Sequence, residues 1–403
     1  MRPLTKSRFK LALECPTKLY YTGKESFPNQ SEGDPFMEAL AEGGFQVGEL
    51  AKYYYPGGHD ITESGYEAPL KRTTELLQKE NVVIFEAAIQ FENFFIRVDV
   101  LEKIGSQINL IEVKAKSFDS KGENGFLSAN GFVSSGWNSY LQDVAFQKYV
   151  TQKAMPNCNV TAFLMMAEKS KHATVDGLNQ LFQIVNSNGR KSVQVSKDIT
   201  KNDLGERVLS SVNVNRIADM IISDSATKDT PEMPFEEKIN YWASMYDKNQ
   251  KIDSPVGLHC FGCEFNTEEE GKRSGFRECW SRVNHWTEQD YAKPRTTQIW
   301  NFRKKKKLYE EGILFVEELE KHHISDHFHP KPNGALSAAE RQWMQVEKLQ
   351  NKDDSFYLDR DGMKAEMATF NYPLHFIDFE TSMVAIPFNK GQRPYEQVAF
   401  QFS

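Results

Sequence analysis

The sequence predicts an α/β fold in which a mixed sheet is flanked by helices and interrupted by helical insertions. Two observations carry this. Three β-rich runs, NVVIFEAAIQF (81–91), FFIRVDVLEKI (94–104) and INLIEVKA (108–115), are separated by short polar turns and read as an antiparallel meander. A segment of helical period, 137–154, then leads to the buried apolar strand NVTAFLMMA (159–167).

The remaining elements follow in chain order. Residues 5–22 read as a helix capped by Ser7, with Phe9, Leu11, Leu13, Leu19 and Tyr20 as apolar positions around Cys15 and Pro16. A second helix is predicted over 37–52, before the turn PGG at 56–58, and a third over 67–80. Beyond the core, 205–250 read as helical and 257–286 hold a group of cysteines. The basic segment KPRTTQIWNFRKKKKLYEEG could track phosphates and stack bases through Trp300 and Phe302, or form a solvated helix face. KHHISDHFHPKPNG reads as a linker, and SAAE (337–340) as a capping box that opens a helix. A new β-pattern, YPLHFIDFETSMVAIPF, begins at 372.

A chain of 403 residues accommodates two or three domains, and 39% apolar content is enough to give each a core. The net charge of −7 excludes a histone-like protein that coats DNA, while leaving room for a local basic groove. There is no apolar run of membrane-spanning length and no signal-peptide pattern in MRPLTKSRFKLALECP, so a soluble cytoplasmic protein with no membrane partner is expected. Five cysteines in such a protein point to metal chemistry rather than disulfides.

The chemistry concentrates in LIEVKAKS. A turn centred on GSQ (105–107) makes cross-strand partners sum to about 211, which sets Asp99 opposite or diagonal to Glu112. Alternation puts Glu112 and Lys114 on one face of the strand and Val113 on the other. Two carboxylates and an ammonium would be costly to bury alone. With Mg²⁺ or Mn²⁺ between the carboxylates the cost is offset, since such ions take hard oxygen ligands and keep several waters. Asp99 and Glu112, with the Val113 carbonyl, are the expected metal ligands, and Lys114 would orient the attacking water or stabilise a phosphate. Alone, the same pattern is also that of a surface hairpin with a salt bridge.

RVDVLEK…INLIEVKAKS resembles the PD-(D/E)XK nucleases, and in particular their RecB-like branch. The resemblance implies a glutamine on the helix after the Glu-x-Lys strand. YLQDVAFQKYV offers Gln147 first, with Gln142 and Asp143 as alternatives. It also implies an acidic residue before the aspartate strand, matched by Glu86. The branch often has a metal-binding histidine on an early helix, but the matching segment GGFQVGELA carries Gly48 or Glu49 there, so Glu49 or Glu86 would substitute.

CPTKLYY and HCFGCEF…RECW resemble the iron–sulfur RecB-type nucleases, such as the CRISPR adaptation nuclease and the AddB helicase–nuclease subunit. The resemblance implies a [4Fe–4S] cluster on Cys15, Cys260, Cys263 and Cys279. The 15 residues between Cys263 and Cys279 keep Zn²⁺ open as the alternative. Cys158 is expected to be a plain core residue. HFIDFET, with Asp378 and Glu380, resembles the first motif of DnaQ-like exonucleases and implies an incomplete RNase H-like segment. The expected organisation is a RecB-like nuclease domain (1–290), a helical linker region (291–370) and the start of a DnaQ-like domain (371–403). That order resembles a family of bacterial proteins with the same modules. The expected function is metal-dependent DNA hydrolysis in repair, recombination or phage defence, with helicase or defence-system proteins as partners. The alternative is a catalytically weak DNA-binding or scaffold subunit; RNA as the substrate also stays open.

Overall fold

The computed structural model describes residues 2–122, 125–187, 190–195, 199–227, 231–332 and 334–403. Two short strands, β1 (Leu4–Thr5) and β2 (His59–Asp60), precede the predicted meander, which forms as β3 (Asn81–Phe91), β4 (Phe94–Ile104) and β5 (Gln107–Phe118). The β4–β5 register pairs Val100 with Ile111 and Lys103 with Ile108, as a turn at Gly105 and Ser106 requires. Strand β6 (Asn159–Glu168) returns parallel to β5 after the helix α5 (Ser135–Ala154), because a parallel neighbour needs a crossover. A hairpin of β7 (Phe182–Ser187) and β8 (Arg190–Val195) stands apart. β9 (Leu209–Asn213) completes a mixed sheet in the order β2-β3-β4-β5-β6-β9, with β1 parallel to β4.

Several boundaries differ from the sequence expectation. The first predicted helix is two, α1 (Lys6–Glu14) and α2 (Lys18–Tyr21). Cys15 precedes Pro16 and is extended (φ −163°, ψ 114°), which ends α1. Thr5, not Ser7, caps α1: its hydroxyl accepts from the Arg8 N–H at 3.3 Å, because β1 ties Leu4 and Thr5 to β4. The other early helices are α3 (Pro35–Lys52) and α4 (Glu67–Leu76). The stretch expected to be helical over 205–250 begins instead with β9, followed by α7 (Asn215–Ile222) and α8 (Phe235–Asp247), after the single turn α6 (Lys201–Leu204). Ser337 opens the helix Ala338–Gln350 with the expected capping box.

The chain divides into two compact units, Met1–Thr22 with Ser31–Asp253 and Asp378–Ser403, and Gly23–Gln30 with Ser254–Ile377. In the first unit, helices cover both faces of the sheet. On one face Ile108 and Leu110 of β5 pack with Phe9 of α1, Val144 and Phe146 of α5, Ala218 of α7 and Ile239 of α8. On the other, Ile111 packs with Val47 and Leu50 of α3 and with Ala385 and Ile386 from the C-terminal segment. That segment also carries two paired strands, β10 (Phe379–Ser382) and β11 (Val398–Phe402). The second unit has its own small cores around Phe302 and Val346 and around Trp280 and Trp286. Among the described residues, no helix is long and apolar enough to cross a membrane.

Candidate active site

Glu112 and Lys114 continue the row of Ile108 and Leu110, so alternation turns them to the face covered by α5. Asp99 follows Leu101 of β4 to the same face, next to an irregularity in the sheet. Ile84, Ala87 and Ile89 of β3 share the α5 face, as do Phe94, Ile96, Val98 and Leu101 of β4. Strict alternation would not allow both halves of either series. It slips by one residue at Glu86 and Asp99, which are skipped in the β3–β4 pairing. Glu86 takes the left-handed region, with φ +55°. A left-handed backbone costs a non-glycine residue about 1–2 kcal/mol.

β5 separates from β4 beyond Ile111, and the Val113 N–H donates to Asp99 Oδ2 at 2.7 Å. Helix α5 presents Asp143 and Gln147 one turn apart on one face, both fully buried. Gln147 Nε2 donates to Glu112 Oε2 (2.7 Å) and to Asp143 Oδ1 (3.2 Å). The Lys114 ammonium bonds to Glu112 Oε1 and lies 3.1 Å from Asp143 Oδ2. A second ammonium enters from α1. Lys6 Nζ donates to Asp99 Oδ1 (3.3 Å) and to both oxygens of Glu112 (3.0 Å each). Parallel stacking of Phe9 on Phe146, with centroids 4.3 Å apart, fastens α1 to α5 and fixes that approach.

Three carboxylates thus face two ammoniums. Burial pushes the Asp99 carboxyl up and the Glu112 charge adds to this; the same two causes raise Asp143 to about 6. Burial also acts against Glu112, but Lys114 and Lys6 outweigh it and hold its carboxyl below the usual range. For Lys6, burial opposes the charge while Asp99, Glu112 and Asp143 restore it and raise the pKa. The donor set suits a hard divalent cation on two counts: one negative charge is left over, and a cation, the Lys6 ammonium, already sits where Asp99 and Glu112 converge. Because a strand residue directs its N–H and C=O to the same edge, the Val113 carbonyl faces the Asp99 side too. Gln147 Oε1 is buried without a hydrogen-bond partner among the described residues.

Asp99, Glu112, Lys114 and Gln147 are therefore brought together. Glu86 lies beside them, but its carboxylate pairs with Arg97 Nε at 3.3 Å; burial and the Asp99 charge raise its pKa. Glu49 is held by Lys52 at 3.0 Å and lines a separate cavity of about 420 Å³ with Asp60 and Phe85. Gln142, an alternative for the glutamine position, makes no hydrogen bond to Glu112 among the described residues, and its Oε1 is buried without a partner there. Lys6 was not foreseen. Nothing in PLTKSR marks it, since its position is set by the pairing of Leu4 with Phe94.

Cys15 ends α1 in the first unit. In the second unit Cys260 lies within the turn Leu258–Gly262, Cys263 caps its C-terminal end, and Cys279 lies on the helix α9 (Gly275–Asn284). Cys260 and Cys279 pack against the same aromatic cluster of Phe276, Trp280 and Trp286, and the Gly257 N–H donates to Cys260 Sγ at 3.4 Å. An amide donated to sulfur suits a thiolate ligand. Cys158 packs against the main core, as expected for a structural residue.

No curated protein matches the chain. Its C-terminal stretch, residues 375–403, matches the family model described as Domain of unknown function (DUF2779).

Proposed function

We propose that the chain is a metal-dependent nuclease, built on a PD-(D/E)XK core of RecB-like type, that hydrolyses DNA phosphodiester bonds in repair, recombination or phage defence. The observation that carries this reading is the convergence of Asp99, Glu112 and Lys114 where β5 leaves β4, with Gln147 bonded to Glu112 from α5. Asp99, Glu112 and the Val113 carbonyl would hold Mg²⁺ or Mn²⁺, which supplies Lewis-acid polarisation of the phosphate and a more acidic water. The chain's own groups do the rest. Gln147 fixes the Glu112 carboxylate and offers Oε1 as an acceptor to the attacking water. Asp143 holds Lys114 in place, and the Lys114 ammonium stabilises charge that develops on the phosphate. A metal held there would take the place of the Lys6 ammonium on the two carboxylates and would leave Lys6 free to meet a phosphate.

A [4Fe–4S] cluster, with zinc as the alternative, is proposed for Cys260, Cys263 and Cys279; the fourth ligand expected from the resemblance is Cys15. The segment 371–403 is proposed to be DnaQ-like, on the resemblance of HFIDFET to the first motif of those exonucleases. Lys6 also favours a second reading, a catalytically weak DNA-binding or scaffold subunit, because an ammonium fixed between the carboxylates would exclude the metal.

Linear, circular and single-stranded DNA, with an RNA control, should be incubated with the protein in Mg²⁺ or Mn²⁺. Cleavage of DNA by the wild type, absent in EDTA and in Lys114→Ala, is the expected result. DNA binding without cleavage in either metal would select the scaffold reading.

A further inference from the structure

A cavity of about 720 Å³ opens where β5 and β6 end, and its lining is basic. Lys121 comes from the loop after β5, Lys169 and His172 from the loop after β6, and Arg393 and Tyr395 from the C-terminal segment. Its volume falls within the range of about 300–1,000 Å³ typical of ligand clefts. Two carboxylates also line it, but both are engaged in local turns: Asp119 accepts from the Lys121 N–H and Glu396 from the Arg393 N–H. Lys121 and Lys169 make no ion pair among the described residues. Arg393 Nε donates to His172 Nε2 at 2.9 Å, a bond that brings no negative charge to the guanidinium.

The walls of this cavity are built rather than incidental. Glu168, the fully buried last residue of β6, accepts at Oε1 from the Ser120 N–H and the Ser170 N–H (3.1 Å each) and from the Ser170 hydroxyl (2.9 Å). One carboxylate thereby clasps both loops. The third wall is tied back as well: the Ala173 N–H donates to the Gln392 carbonyl, the Gly391 N–H to the Ala173 carbonyl, and the Lys390 N–H to Asp176. Tyr395 takes φ +60° and its hydroxyl donates to the Ala115 carbonyl. Ala115 lies in the register shift of β5 that directly follows Lys114. Strain at a non-glycine residue persists only where the surroundings over-determine it.

We infer that this cavity is a phosphate subsite that holds the backbone of a nucleic-acid strand running from Lys114 along β5 to Lys121, Lys169 and Arg393. The inference rests on the nuclease reading and names the part of the substrate taken there. Lys114 and Asp119 are five positions apart, about 17 Å along a strand. At the 3.4 Å axial rise per nucleotide of a stacked, B-form strand that is about five nucleotides, and an extended strand covers it with fewer. The site is therefore filled by a strand several nucleotides long and not by the scissile phosphate itself.

The test is binding in EDTA, measured by fluorescence anisotropy with the full chain, a long labelled single strand and a labelled trinucleotide, over a range of salt. Lys169→Ala and Arg393→Ala should each weaken binding of the long strand by about tenfold. Each should lower the slope of log K against log salt by about 0.7, the value for one phosphate contact on a single strand. Arg393→Lys should keep the slope, and trinucleotide binding should be unchanged in all three. Unaltered slopes in variants with wild-type melting would overturn the subsite. So would equal losses for the trinucleotide, or tight binding of inorganic phosphate with which the long strand does not compete. Because no cleavage is read, a failed nuclease reading shows separately, as intact hydrolysis in Lys114→Ala.

Discussion

Lys6 makes the sharpest claim at the scale of single residues, since it neutralises two carboxylates that would otherwise repel. In EDTA, Lys6→Met should lower stability by about 2 kcal/mol, less than the ~3–5 kcal/mol for breaking a fully buried pair because the Lys6 side chain is 25% exposed. Added Mg²⁺ should restore most of that loss, because a ligand that binds only the folded state stabilises it by mass action. A melting temperature insensitive to Mg²⁺ in this variant would show that Asp99 and Glu112 hold no cation. Conversely, Gln147→Ala removes the bond that orients Glu112 and should lower the cleavage rate by about 10²-fold, within the range for a lost positioning or electrostatic contact. Glu112 and Lys114 were legible because a strand alternates faces and the apolar row Ile108, Leu110 shows which face is buried. Asp99 was legible from the turn sum, which the pairing of Val100 with Ile111 reproduces. Lys6 was not legible, because long-range pairing of two residues, Leu4 and Thr5, decides where it goes.

At the scale of elements, the ends of β5 and β6 are joined through Glu168. Burial would raise its pKa, but the Ser120 and Ser170 donors outweigh this and depress it. A depressed carboxyl contributes stability that is present above the unfolded value, about 4.3, and lost as the pH falls through the folded one. Glu168→Gln should therefore be less stable than the wild type by about 1.5–3 kcal/mol at pH 7, the worth of hydrogen bonds to a charged group. The gap should close as the pH drops below 4. A constant difference from pH 7 to pH 3, followed by chemical denaturation, would mean that the charge is not what clasps the loops. The C-terminal strands allow a second check: Asp378 is exposed and its backbone pairs with Ser403, so Asp378→Ala should leave cleavage unchanged. Loss of cleavage there, with Lys114 intact, would give the C-terminal segment a catalytic role. The long meander strands were legible from composition and alternation. β9 was not, because LSSVN is short and gains its identity only as an edge partner of β6.

At the scale of the whole molecule, the cysteines carry the account. Cys260, Cys263 and Cys279 lie in the second unit, whose cores are small and one of them aromatic, a setting in which a bound metal can supply folding energy. Protein purified without oxygen should be brown and contain about four irons per chain, the count for a cubane held by four thiolates. Cys279→Ala should remove the colour, whereas Cys158→Ala should not. One zinc per colourless chain would keep the structural role and change the cofactor. Metal-free protein that melts like the Cys260→Ala variant would remove the cluster. The cysteine spacing was visible in the sequence, but the grouping of contacts into two units was not, because Gly23–Gln30 and Asp378–Ser403 each join a unit distant in sequence.

The central claim is that Asp99, Glu112 and Lys114 act as one hydrolytic unit, and a double-mutant cycle on DNA cleavage in Mg²⁺ tests it most directly. Single-turnover rates should be measured for the wild type, Glu112→Gln, Lys114→Met and the double variant, each shown to be folded. Either single change is predicted to cost about 10³-fold or more, and the double variant to be no slower than the worse single one, as for groups that act together. Wild-type cleavage by Glu112→Gln, or strictly additive losses in the double variant, would contradict it.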